Sequence, residues 1–260
     1  MSKTFAHRLA RPALQGAGLA AFIALTLAAA PAVQAAEPSD ASLPTAVIVR
    51  VPKPWYAPRA LVASRMRDTI PQYADLPGLS FKAYSFERAS GDYGGVYLWQ
   101  SRKAAQAWFN AAWFERVKRE RGADAQVRSF SAHLVLDNVA GGTPASTDSD
   151  SIATLVEIAV PPNTPQERLV AGLRASVPTY QAIPGLLRKY YITSDQGTFG
   201  GIYLWKDEAS ARAWFNPQWH ERVTQTYGRP AVIEWFDTPI LTPTTNRGNA
   251  VPEAFVVGAP

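Results

Sequence analysis

The chain repeats itself. GGVYLWQSRKAAQAWFNAAWFERV from Gly94 and GGIYLWKDEASARAWFNPQWHERV from Gly200 align at an offset of 106 without a gap. IPQYADLPGLSFKAY from Ile70 and VPTYQAIPGLLRKYY from Val177 align at an offset of 107. One residue is therefore lost between the two blocks, in the turn near Arg88–Asp92. The repeat divides the chain into unit one (residues 44–138), a linker (139–150), unit two (151–243) and a tail (244–260). The linker carries AGGTPASTDSD, the composition of a flexible connection. Two copies without a shorter period make a tandem pair of domains, not a solenoid.

Each unit reads β-α-β-β-α-β. TAVIVRV at Thr45–Val51 and IATLVEIAV at Ile152–Val160 are β-branched runs and predict first strands. Thr164-Pro165-Gln166-Glu167 predicts a helix capped by threonine, and Ala57-Pro58 marks the same place in unit one. These helices are expected to run to about Tyr73 and Tyr180, before Pro77-Gly78 and Pro184-Gly185. Strands two and three follow, the third ending in VYLW or IYLW. Ser101 and Asp207 suit the caps of the second helices. Pro217 cannot continue a helix through Asn216, so a break is expected there, with Asn216 capping the next piece. Asn110 holds the equivalent place without the proline. Final strands are expected near 126–136 and 231–241.

Residues 1–36 read as an address. Lys3, Arg8 and Arg11 precede the apolar run LAAFIALTLAAA, and small residues follow near Ala35 and Ala36. That order is a secretory signal peptide. The run is shorter than the ~20 residues of a spanning helix. Export to the periplasm or medium is expected, with no membrane association after cleavage. Of 26 basic and 21 acidic residues, cleavage leaves 23 and 21, a net +2 that does not point to nucleic acid. The basic cluster Arg116, Lys118, Arg119 and Arg121 is broken by Glu115 and Glu120 and reads as a solvated helix face. The chain has no cysteine and three histidines, which removes thiol chemistry and disfavours a multi-histidine metal site.

The run IPGLLRKYYITSDQGTFGGIYLWKDEASARAWF from Ile183, with its weaker copy from Leu76, resembles the YdhR-like proteins of the dimeric α/β-barrel superfamily. These are small proteins assigned as monooxygenases and related in fold to the antibiotic-biosynthesis monooxygenases. The resemblance covers both units. It implies an α+β fold of two tandem ferredoxin-like units packed as an intrachain pseudo-dimer of the dimeric α/β-barrel type, two sheets meeting as one unit buries the other's open face. The usual single-unit member pairs with another chain; fusion and an export signal depart from that pattern.

The resemblance implies a small aromatic or quinone-like substrate held between sheet and helices and oxidised by oxygen. Unit two is the richer in candidate groups. His220 would be the base, with Lys189 and Tyr191 holding an oxyanion. Tyr180, Trp205, Asn216 and Trp219 would bind substrate, as would Lys82, Tyr84 and Trp99 in unit one. Each has a plainer reading. His220 beside Glu221 suits a helix surface, Asn216 a cap, the lysines an apolar rim and the tryptophans a core. Arg188 and Tyr190 alternate to the opposite strand face, where Arg188 suits an ion pair. The pairs Gly94-Gly95 and Gly200-Gly201 lack phosphate-loop spacing and suit a bulge or close approach. No cofactor motif is visible, so no cofactor is expected. The rival readings are a non-catalytic periplasmic small-molecule binder and a haem protein with His220 as ligand.

Overall fold

A computed structural model describes residues 42–258. The signal peptide expected at residues 1–36 lies outside the described residues.

Unit one comprises β1 (Thr45–Val51), α1 (Arg59–Asp68), α2 (Ile70–Ala74), β2 (Leu79–Glu87), β3 (Tyr93–Trp99), α3 (Arg102–Trp108), α4 (Ala111–Arg121) and β4 (Gln126–Asp137). Unit two repeats them as β5 (Ile152–Ala159), α5 (Gln166–Ala175), α6 (Val177–Gln181), β6 (Leu186–Thr193), β7 (Thr198–Trp205), α7 (Glu208–Trp214), α8 (Pro217–Tyr227) and β8 (Val232–Pro243). The tail adds β9 (Val256–Gly258).

The first helix of each unit is more broken than the sequence suggests. Pro71 and Pro178 lack the N–H that would continue α1 and α5, so each first helix splits in two. The expected threonine cap does not form: Pro165 occupies the cap position of α5 without a side-chain bond. The other caps form. Ser101 and Asp207 accept from the backbone N–H of Ala104 and Ser210. Asn110 and Asn216 accept from Trp113 and Trp219 at 3.0 and 2.9 Å, and the helix breaks in both units. The asparagine suffices for the break, since unit one has no proline there.

Within each unit the strands pair in the order β4-β1-β3-β2 and β8-β5-β7-β6, all antiparallel. The last strands then cross over. β4 gives its first half to β1 and its second half to β6 of unit two. β8 divides likewise between β5 and β2. The dimeric α/β-barrel type expected above is corrected accordingly. Two sheets do not meet as separate layers. The strands form one nine-stranded sheet, in the order β1-β3-β2-β8-β5-β7-β6-β4-β9, with a further β1–β4 pairing. Backbone hydrogen bonds, not side-chain packing alone, join the units.

Strand alternation sorts the side chains into two faces. One face carries Ala46, Ile48, Phe81, Phe130, Leu155, Tyr190 and Phe236, a core drawn from both units. Each buried phenylalanine there contributes ~1.5–3 kcal/mol. The other face carries Val47, Val49, Tyr97 and Trp99 in unit one, and Val156, Tyr191, Tyr203 and Trp205 in unit two, against each unit's own helices. Half-exposed ion pairs cross between units: Arg50–Glu234 at 3.0 Å, Arg128–Glu234 at 2.7 Å, and Arg128 with Glu157. Arg188 pairs with Asp137 across the β4–β6 seam at 2.8 Å. Such pairs set register more than stability.

Linker and tail do equivalent work. Ser146 bridges Leu241 on β8, and Val256 pairs with Val135 on β4. Val135 and Leu241 are the same position in the two units. Each last strand thus has part of its edge covered by the segment that follows the other unit.

Candidate functional site

The helix-facing side of each unit holds a buried lysine enclosed by three tyrosine rings. In unit one the Lys82 ammonium lies 3.1 Å from the ring centroid of Tyr73, 3.5 Å from Tyr84 and 5.0 Å from Tyr97. In unit two Lys189 lies 2.9 Å from Tyr180, 4.0 Å from Tyr191 and 4.9 Å from Tyr203. Strand geometry builds this cage. Lysine and the tyrosine two residues on share one face of β2 or β6, and the lysine sits directly across from Tyr97 or Tyr203. Tyr73 and Tyr180 reach down from α2 and α6.

The glycine pair makes the room. A Cβ on Gly94 or Gly200 would lie 2.0 or 2.1 Å from the carbonyl oxygen of Val49 or Val156, so the first glycine permits close backbone approach. A Cβ on Gly201 would lie 2.9 Å from Lys189 Cε and 2.8 Å from the Tyr203 ring. In unit two the second glycine thus clears space for the lysine, whereas a Cβ on Gly95 in unit one would lie 3.0 Å from the Tyr97 ring and the Ala83 carbonyl.

Each lysine is 2% exposed. Among the described residues, neither ammonium joins a carboxylate. A ring face favours the charged form by ~0.5–2 kcal/mol, while desolvating an ammonium costs several. Burial wins and pulls both lysines well below the usual lysine range. Burial pushes the tyrosines the other way. Tyr73 and Tyr84 are raised by burial; at Tyr73 a hydrogen bond with Tyr97 and the charges of Arg116 and Arg121 offset part of the rise. Tyr84 shares a 2.9 Å hydrogen bond with Thr69.

The cages match, but the spaces around them do not. Unit one opens into a cavity of about 480 Å³, within the range of small-molecule sites. Unit two keeps about 60 Å³. Tyr227 accompanies the difference: it lines the small cavity with its ring 5.2 Å from Phe199. The equivalent residues in unit one are Arg121 and Tyr93, both lining the cavity. Tyr56 and Leu61 line its mouth and are 71% and 49% exposed.

Lys82 and Tyr84 line the open cavity; Tyr180, Lys189 and Trp219 line the small one. Tyr191 is wholly buried in the cage. Three expected groups stand apart. Asn216 is a cap, its amide donating back to the Ala213 carbonyl. Trp99 and Trp205 are sealed core residues, Trp205 donating to Thr154 at 3.1 Å. His220 is exposed, edge-on to Trp219, and lines neither cavity. The expected base and haem ligand is therefore not brought to either pocket. Unit two, expected to be the richer in candidate groups, holds the smaller of the two cavities. Arg116 and Arg121, read above as a solvated face, border the cavity. Tyr97 was legible as the residue two before Trp99 on the same strand face. Arg121 was legible only as a mismatch with Tyr227 between the copies.

No family model matches the chain, and no curated protein matches it. Solved structures do. A "putative monooxygenase" from Lactobacillus acidophilus aligns over 77% of this chain and 96% of its own, with 12% identity and a TM-score of 0.53. A second protein so described, from Fusobacterium nucleatum, aligns over 78% and 95% with 14% identity and a TM-score of 0.56. An anthrone oxidase-like protein aligns over 81% and 96% with 11% identity and a TM-score of 0.53. Each alignment exceeds one unit, so the shared feature is the paired architecture. At these identities the likeness is one of fold alone, and it does not single out the YdhR-like proteins.

Proposed function

We propose that the chain is an exported, YdhR-like monooxygenase that takes a small aromatic or quinone-like compound into unit one and oxidises it with dioxygen. One observation carries the reading: a buried, carboxylate-free lysine and its tyrosines border the 480 Å³ cavity of unit one. Names of the fold neighbours support it, and residues 1–36 support export. Lys82, its pKa pulled down by burial, accepts a proton from an acidic phenol or benzylic carbon of the substrate. Tyr73 and Tyr84, kept protonated by burial, donate hydrogen bonds to the resulting oxyanion. The electron-rich anion passes an electron to dioxygen, the two radicals combine, and the peroxide loses water. A methylene and one dioxygen thus give a carbonyl and one water.

Oxygen uptake by the mature protein with anthrone and substituted hydroquinones tests this. Uptake is expected to be lost in Lys82→Met and kept in Lys189→Met. Uptake that survives Lys82→Met overturns the assignment.

A second reading has its own support. The same cage stands in unit two, where almost no cavity remains, so the cage can exist for structure alone. On that reading the protein binds a small molecule without turning it over. Stoichiometric binding without oxygen uptake across the panel is its signature.

A further inference from the structure

We infer that the unit-one cavity selects aromatic compounds bearing an anionic substituent, and that Arg121 is the residue that selects them. This rests on the reading of unit one as the binding site. The duplication shows what the open copy gained. Arg65, Arg116 and Arg121 line the cavity with Lys82, against one acid, Glu120. Where unit one has Arg65 and Arg121, unit two has Gly172 and Tyr227. Opening the cavity therefore coincides with cations at two new places, Arg65 and Arg121, while unit two keeps Arg168 where unit one has Leu61 and Thr226 where unit one has Glu120.

The three arginines are not equally free. Arg65 lies 3.5 Å from Asp68, and Arg116 sits over the Trp108 ring at 5.7 Å. Arg121 makes no hydrogen bond or ion pair among the described residues. It lines the cavity beside Tyr73 and Tyr93, where burial raises both tyrosines and the Arg121 charge offsets part of that rise. A cation in the last turn of α4 suits the helix dipole. The dipole does not account for its standing beside two cavity tyrosines. A guanidinium there offers a planar pair of donors to a carboxylate or sulfonate. The aromatic body of such a ligand would lie among the tyrosines, its anionic group at the arginine end.

Two fluorescent probes that share one aromatic frame separate charge from shape. 8-Anilinonaphthalene-1-sulfonate carries the anion; N-phenyl-1-naphthylamine lacks it. The mature protein is expected to bind one sulfonate probe per chain, at least about tenfold more tightly than the neutral probe. Rising salt should weaken the sulfonate probe alone. Arg121→Gln, an exposed change that leaves the fold in place, should remove the preference, and Arg121→Lys should restore part of it. Equal affinity for both probes in the wild type, or a preference that survives Arg121→Gln, overturns the selectivity while leaving the binding site standing. If neither probe binds, the reading of unit one as a binding site falls, and the selectivity with it.

Discussion

The two units share nearly every residue that builds the lysine cage and differ at the few that decide whether it faces a cavity. Lys82 and Lys189, Tyr73 and Tyr180, Tyr84 and Tyr191, and Tyr97 and Tyr203 are matched in type and place. Arg121 against Tyr227 and Tyr93 against Phe199 accompany a change from about 480 to about 60 Å³. One scaffold thus serves as an open site in one copy and as a filled core in the other. The cage belongs to the scaffold, and the cavity belongs to its neighbours.

The largest expected effect tests the shared part. Gly94→Ala and Gly200→Ala each force a Cβ to about 2 Å from a strand carbonyl. A carbonyl inside a paired strand cannot move aside, as a flexible side chain could. Each change should cost upwards of about 4 kcal/mol, read from urea unfolding. Similar losses in the two units are expected. A mild effect in only one would show that the close approach is not common to both.

The filled unit should be convertible. Tyr227→Ala removes the ring that packs on Phe199 and should extend the small cavity. The ring is only partly buried, so the cost should be about 2 kcal/mol, below that of a sealed aromatic. Native mass spectrometry with the naphthyl probes should then show a second molecule bound per chain. Stoichiometry that stays at one would mean that Tyr227 alone does not close unit two.

What the sequence made legible follows the same division. The duplication, the strand-helix order and the asparagine caps come from local patterns, and each appears in the structure. Alternation correctly sent Arg188 and Tyr190 to the face away from the helices. Arg188 meets Asp137, and Tyr190 joins the shared core. The sharing of β4 and β8 between units was not legible, because which partner a strand edge takes depends on distant backbone. Nor was the open cavity. It is a residual volume, set by Arg121, Tyr93 and Arg65, residues outside the repeated motif. His220 drew attention by its chemistry, yet the turn of α8 that buries Trp219 leaves its neighbour in solvent.

The lysines should register their cavities through pH. Each has a folded pKa below its unfolded value of about 10.4. Between those two values the unfolded chain holds the proton and the folded chain does not. Stability therefore rises with pH through that window. Replacing either lysine by methionine removes the penalty, so each variant should melt above the wild type at pH 7, by a few degrees on the order expected for a chain this size. The gap should close as pH approaches 10. Lys189→Met should gain more than Lys82→Met, because water entering the unit-one cavity relieves part of the desolvation of Lys82. Equal gains would indicate that the open cavity does not hydrate its lysine.

The smallest effect concerns one hydroxyl. Trp205 and Trp99 are equivalent, sealed tryptophans, but only the Trp205 indole has a partner, the Thr154 hydroxyl. The position equivalent to Thr154 in unit one is Val47, and the Trp99 indole N–H is buried without an acceptor. Thr154→Val should therefore cost about 1–2 kcal/mol by leaving a second indole unpaired. Val47→Thr should do the reverse at Trp99. Its gain should be smaller, at most about 1 kcal/mol, because the new hydroxyl must itself be desolvated in a packed core. Made together, the two changes exchange the tryptophan environments of the units without touching either cage. Probe binding in unit one should then stay unchanged, while the two single variants move the melting temperature in opposite directions. A change in probe affinity on Val47→Thr would instead show that the Trp99 side of the sheet communicates with the cavity.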